Sequence, residues 1–190
     1  MQVRDRLIQA AERQFAARGT LETTLADIRD EVGVSVGALY HHFSDKAQLY
    51  SAVWEHALAD YQAAFWAAIR DSETAEEGVR SGVRAHLDWV SREPARAKIL
   101  VAPRPAAARS SSNTEFLRDT MRWWRTHAAY GAVRPLEFPL VYALWLGPAQ
   151  EYARQWLSGQ FDSAPATVAV TLGEAAWQSL KTAQQEGNSR

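Results

Sequence analysis

An all-α fold is expected from three features of this chain of 190 residues. Apolar residues recur at spacings of three and four almost throughout, which is the period of a helix with one buried stripe. Ser, Thr, Gly and Pro fall between these stretches at the places where helices start and stop. No run alternates apolar and polar residues between turn clusters, as a half-buried strand would.

The first helix is predicted from about Val3 to Ala17, with Leu7, Ala11 and Phe15 on one stripe and Arg18-Gly19 as its stop. Thr24 stands at an N-cap position ahead of Leu25, Ile28 and Val32, and Gly33 ends that helix. Ser35 caps a third helix, in which Leu39 and Phe43 face inward, and Ser44-Asp45 caps a fourth that runs from Lys46 to about Arg70. Two short helices with about three residues between them make a helix-turn-helix, the arrangement that lets the second helix enter a DNA major groove.

After the polar stretch 71–74, a helix is predicted from Ala75 to Arg92, and Pro94 sits at the first position of another. Residues 103–113 have loop composition and are expected to form a flexible connector. A helix from Thr114 to Ala128 follows. From Leu136 to Trp156 the aromatics Phe138, Tyr142, Trp145, Tyr152 and Trp156 share one stripe, while Leu140, Leu144 and Gly147 occupy a neighbouring one. A single helix there would be apolar on two sides and buried between two partners. The last helix is predicted from Pro165 to Gln184, with Leu172, Gly173, Ala176 and Leu180 in its apolar face. Two adjacent helices with surplus apolar surface imply a homodimer built as a four-helix interface. Its residues would be Leu140, Leu144, Tyr152, Trp156, Leu172, Gly173, Ala176 and Leu180.

Composition excludes some chemistries. With Cys 0 there is no disulfide, thiolate zinc site or cysteine nucleophile. Arg4, Asp5 and Arg6 interrupt any signal-peptide core, and no run of about 18 apolar residues spans a membrane, so a cytoplasmic protein without a membrane partner is expected. Gly33-Val34-Ser35-Val36-Gly37 matches the G-x-S-x-G elbow of serine hydrolases, yet the elbow needs a strand before it and a helix stands there instead. Adjacent His41 and His42 point about 100° apart on a helix and are poorly placed to chelate together. Neither an enzyme nor a metal or other cofactor is expected. The net charge of −1 is unusual for a nucleic-acid binder, and residues 1–50 hold six basic residues against seven acidic ones. Contact with double-stranded DNA would then rest on local geometry and on doubling the site in a dimer.

Thr23-Thr24-Leu25-Ala26-Asp27-Ile28, the turn Val32-Gly33-Val34-Ser35, and Gly37-Ala38-Leu39-Tyr40-His41-His42-Phe43-Ser44-Asp45-Lys46 resemble the TetR family of one-component bacterial transcription regulators. The stretch 145–159 looks like the penultimate helix of many members. The resemblance implies that Thr24 and Lys46 meet phosphates and that Ser35, Val36, Gly37, Tyr40 and His41 face DNA. It departs from the family at Val36, often polar or basic in relatives, and at Arg29, usually a small residue. The implied division is a DNA-binding domain of residues 1–47 and an effector-binding and dimerisation domain of residues 48–190.

All eight tryptophans lie after residue 50. A helical domain lined with large flat side chains can stack a planar or apolar ligand, and Trp66, Trp89, Trp123, Tyr142 and Trp145 are the candidates to meet a small-molecule effector. The expected function is a ligand-responsive regulator, read as a repressor, that leaves a near-palindromic operator when a hydrophobic or aromatic effector binds. The alternative is a helical small-molecule sensor whose helix-turn-helix serves assembly with a protein partner.

Overall fold

The computed structural model describes residues 2–106, 108 and 111–182, with backbone alone at 111 and 112. Ten α-helices account for most of it: α1 (Val3–Glu22), α2 (Leu25–Val32), α3 (Val36–His42), α4 (Lys46–Ile69), α5 (Ala75–Arg92), α6 (Pro94–Val101), α7 (Ser111–Ala129), α8 (Phe138–Trp145), α9 (Gly147–Leu157) and α10 (Ala169–Leu180). Among the described residues none is long and apolar enough to cross a membrane. The chain forms two compact units, residues 1–62 with 92–111, and residues 63–91 with those from 112 onward.

In the N-terminal unit α1, α2, α3 and the first half of α4 close around Leu7, Phe15, Ile28, Leu39, Phe43, Leu49 and Val53, all buried. Gly19 breaks the regular course of α1 at φ 79, where Arg18-Gly19 was expected to stop it. The domain boundary expected after residue 47 is corrected by this packing. It falls two residues inside α4, whose Leu49, Val53 and Trp54 belong to the N-terminal core together with Ile99 of α6. The residues of α4 from 63 onward belong to the C-terminal unit.

The segment expected to be a flexible connector is also seated on that core. The Tyr50 hydroxyl donates to the Pro103 carbonyl at 3.5 Å, and the Arg104 guanidinium lies over the Trp54 ring, 5.5 Å from its centroid. Arg104 also donates to the carbonyl of Ala108, itself buried, and α7 begins at Ser111, three residues earlier than expected. Residues 107, 109 and 110 of that segment lie outside the described residues.

In the C-terminal unit α5 offers two glycines one turn apart to two indoles. A Cβ at Gly78 would stand 2.2 Å from Cζ2 of Trp123, and one at Gly82 would stand 2.9 Å from Cζ2 of Trp145. Trp145 further donates its Nε1 proton to the Val79 carbonyl at 2.9 Å. Its ring stacks on Trp123 with centroids 5.5 Å apart and packs against Trp124 at 5.8 Å and Phe65 at 5.6 Å. Burial of the next residue on that stripe, His86, pushes its pKa down to about 4.

Two predicted helices take a different form. The single helix expected from Leu136 to Trp156 is α8 and α9, divided at Leu146 (φ −110, ψ −18). Pro148 has no N–H to continue the ladder, and its ring would clash with the carbonyl four residues back. The last helix was expected from Pro165 to Gln184. Pro165–Val168 is instead a 3₁₀ turn, and α10 stops at Leu180 because the chain turns to pair with Val133 in an isolated antiparallel bridge at Lys181. The Arg134 N–H donates to the Leu180 carbonyl at 2.9 Å there. Gln184 lies outside the described residues.

Candidate nucleic-acid interface

Residues 24–43 settle into two helices because both ends of each are satisfied locally. Thr24 Oγ1 accepts the Asp27 N–H at 3.1 Å while the Asp27 carboxylate accepts the Thr24 N–H at 3.0 Å, a capping box that closes the start of α2. The Thr24 N–H first, and then the Thr24 hydroxyl, donate to the Asp27 carboxylate and hold it below its usual pKa. At the other end Gly33 adopts φ 71, ψ 42 and returns its N–H to the Arg29 carbonyl at 2.9 Å. That left-handed residue is where a side chain would be strained, so glycine fits the turn. Ser35 Oγ then accepts the Ala38 N–H at 3.1 Å and starts α3. Its hydroxyl is a cap, which is the structural reading of the G-x-S-x-G match.

With Ile28, Val32, Leu39 and Phe43 buried, the rest of α3 is outward. Val36 is 52% and Tyr40 54% exposed, and Ser35, Gly37 and His41 are exposed beside them. Five of the seven residues predicted to meet DNA therefore lie on one open surface at and along α3. Arg29, the departure in α2, pairs outward with Asp30 at 2.7 Å and leaves the core to Ile28 and Val32.

The other two predicted residues are committed inside the chain. Thr24 spends its hydroxyl on Asp27, donating to the carboxylate at 2.8 Å as well as accepting from the backbone. Lys46, expected to meet a phosphate, instead places its ammonium on the carbonyls that end α1, donating to Thr20 at 2.8 Å, Thr23 at 3.2 Å and Leu21 at 3.5 Å. A cation at a helix C-terminus satisfies orphan carbonyls and the dipole together. The partners lie 23 to 26 residues away along the chain, so no local pattern announces the bond.

The remaining predicted sites divide in the same way. Of the five effector candidates, Trp123 and Trp145 meet in the stack described above, Trp89 is buried, Trp66 is half-buried, and Tyr142 is 44% exposed with its hydroxyl accepting from Gln150 Nε2. Of the interface candidates, Leu140 is 53% exposed and Leu144, Tyr152, Trp156 and Leu172 are half-buried. Gly173, Ala176 and Leu180 are corrected by the structure: they are buried within their own unit. Gly173 lies against the backbone of Arg80 on α5, where a Cβ would sit 3.5 Å from the Arg80 Cα. Its small size serves α10 against α5, leaving none of the three as surface.

Residues 7–53 match the family model described as bacterial regulatory proteins, tetR family. The transcriptional regulator TtgR of Pseudomonas putida is 42% identical over 78 residues, which are 40% of this chain and 34% of that regulator. A probable acrEF/envCD operon repressor of Escherichia coli is 44% identical over 54 residues, 28% of this chain and 24% of that protein. The matched stretches thus span about a third or less of these curated relatives. A crystal structure of a TetR-family transcription regulator from Marinobacter aquaeolei has the same fold along 95% of this chain and 96% of its own, with a TM-score of 0.79 at 18% identity.

Proposed function

We propose that this chain, which carries the N-terminal DNA-binding domain of the TetR family, is a transcriptional repressor that binds a near-palindromic operator as a homodimer and leaves it when a small apolar ligand binds the C-terminal unit. The observation that carries the reading is the open face formed by Ser35, Val36, Gly37, Tyr40 and His41 on a short helix locked from behind by Leu39 and Phe43. Such a face offers a phenol, an imidazole and an apolar contact to base edges, with glycine admitting close approach. A second copy doubles the contact, and two-fold symmetry makes the preferred DNA a repeat about a centre.

The dimer is supported by apolar side chains left on the surface of the last helices: Leu140 of α8 and Val170 of α10, 53% and 72% exposed, beside the half-buried Leu144, Tyr152, Trp156 and Leu172. The effector reading rests on the convergence of Trp123 and Trp145 from two helices on one aromatic cluster. A planar ligand entering that cluster acts on DNA binding only to the extent that it favours the conformation unfit for DNA.

Selection of bound duplexes from a random pool tests the reading. Recovery of an inverted repeat with half-sites about one helical turn apart is the expected result. A pool that never enriches above input under low salt overturns it. Ligands are then sought as aromatic compounds that both quench tryptophan fluorescence and lower affinity for the recovered operator.

A further inference from the structure

On α7, Phe116, Thr120 and Trp124 follow one another at intervals of four residues, so they share one stripe of the helix. The two aromatics of that stripe join the aromatic cluster of the C-terminal unit. Phe116 packs edge-on against Phe65 of α4 with centroids 5.7 Å apart, and Trp124 packs against Trp145 of α8 at 5.8 Å. Phe65 and Trp145 in turn lie 5.6 Å from each other. Thr120, with Phe116 and Trp124 one turn to either side, is therefore a hydroxyl set into an aromatic wall, and it is only 8% exposed.

Two polar atoms of this stripe, Thr120 Oγ1 and Trp124 Nε1, are closed off from solvent. Among the described residues neither has a hydrogen-bond partner. Buried polar groups of folded proteins are nearly always paired, because burial without a partner forfeits the bonds that water would make. Both groups can donate a proton, and a carbonyl oxygen has two lone pairs to accept one from each. Their Cβ atoms stand about 5 to 6 Å apart, as for any positions i and i+4 of an α-helix, close enough for one small acceptor group to serve both. The surroundings also set the charge of what can enter. Among the described residues His86 is the one titratable side chain buried in this unit, and its pKa of about 4 leaves it uncharged at neutral pH. An ion placed there would lose its water and meet no opposite charge.

We infer that the aromatic cluster of the C-terminal unit takes a neutral, planar ligand carrying a hydrogen-bond acceptor such as a carbonyl, and that Thr120 and Trp124 anchor that acceptor. The inference rests on the effector reading above and names the chemical class of the ligand with the two groups that recognise it. Trp123 and Trp145 suit any flat apolar molecule, and the two donors select among such molecules.

The test uses matched probes that differ only by a carbonyl in place of a methylene, indane with indanone and fluorene with fluorenone, titrated calorimetrically into the full chain. Each ketone should bind about five- to 150-fold tighter than its hydrocarbon, the range for pairing a buried donor. N-methylquinolinium and naphthoate, flat ions of similar size, should not bind. In isotope-labelled protein the indole N–H resonance of Trp124, identified by its absence from Trp124→Phe, should move downfield with the ketones and stay in place with the hydrocarbons. Thr120→Val removes the hydroxyl at nearly constant shape and breaks no bond within the chain. It should leave the melting temperature unchanged or higher, keep the affinity for fluorene, and cut the preference for fluorenone by about two- to twelve-fold. Thr120→Ser, which retains the hydroxyl, should retain the preference. A hydrocarbon that binds as tightly as its ketone overturns the inference and leaves the effector reading standing, and so does an ion that binds as tightly as fluorenone. A Thr120→Val chain that melts lower and keeps the preference gives the hydroxyl a structural partner and overturns it too. If no neutral probe binds, the cluster is a closed core, and the inference falls together with the effector reading. Operator affinity is read separately: ketone binding that leaves it unchanged removes the effector reading and keeps the ligand site.

Discussion

The reading head and the C-terminal unit are both helical, but they are held by interactions of different reach. In residues 24–48 the bonds that start α2, α3 and α4 join positions three apart: Thr24 with Asp27, Ser35 with Ala38, Asp45 with the Gln48 N–H at 2.8 Å. In the C-terminal unit they join Trp145 to Val79, 66 residues away, Gly78 to Trp123, and Arg80 to Glu174. Local bonds define where a helix begins and ends. Distant ones define which face of it is buried, and that decides whether a residue is available to a ligand or a partner at all.

The largest effect should come from breaking the distant set. Trp145 is 2% exposed, stacked on Trp123, and bonded through its indole to Val79. Trp145→Ala should lower the unfolding free energy by about 3 to 5 kcal/mol and abolish the near-ultraviolet circular dichroism of the coupled indoles. A loss below about 1 kcal/mol would mean that this ring is a mobile lining of a ligand site. The same variant therefore decides between a filled core and a cavity, the question that the spacing of aromatics leaves open.

That question shows how far the chain is legible without its structure. Both ends of α2, the start of α3, the end of α5 and the start of α6 follow from Thr24, Gly33, Ser35, Arg92 and Pro94, because capping and proline geometry act within one turn. The open face of Val36, Tyr40 and His41 follows from the period of the helix. The partners of Lys46 and Gly173 are not legible in the sequence, for one reason. Each has a side chain or a bare Cα suited to a partner outside, and each finds its partner inside, on α1 and on α5. The division at Leu146 has another cause: the apolar stripe predicts one helix, and Pro148 two residues on interrupts its ladder.

The second effect sharpens the contrast through pH. His86 is buried in α5, and its pKa near 4 lies below the 6.5 of an exposed imidazole because burial penalises the cation. Between these values the unfolded chain takes up a proton that the folded chain refuses. The stabilising contribution is therefore complete above about pH 6.5, shrinks as the pH falls toward 4, and changes no further below that. Its full size is about 3 kcal/mol. The urea midpoint should fall over this window, and His86→Gln should remove that part of the fall. Equal slopes in the two proteins would place the imidazole in contact with water.

The third concerns the head alone. Tyr40 is 54% exposed and supports nothing in its own core. Tyr40→Ala should leave the melting temperature in place and weaken the selected operator by about 1 to 3 kcal/mol, roughly five- to 150-fold. If affinity is kept with helicity intact, α3 does not enter the groove on this face.

The smallest effect tests the claim that local bonds hold the reading helix. Ser35 Oγ satisfies the Ala38 N–H, one of the four donors that a helix start leaves without partners, and α3 is only seven residues long. A helix of that length has no stability of its own in water, so it depends on its cap and on the burial of Leu39 and Phe43. Ser35→Ala should cost about 1 kcal/mol, and Ser35→Gly only a few tenths, since glycine tolerates the cap conformation and lets water reach the bare N–H groups. The loss should appear first as faster hydrogen exchange at Ala38, about five-fold at 1 kcal/mol, ahead of any shift in global melting. Operator affinity should follow the exchange rate, because a frayed first turn must be reordered each time Val36 and Gly37 meet DNA. Should Ser35→Ala leave both exchange and affinity unchanged, the start of α3 would be held by packing rather than by its cap, and the head would belong with the C-terminal unit in kind.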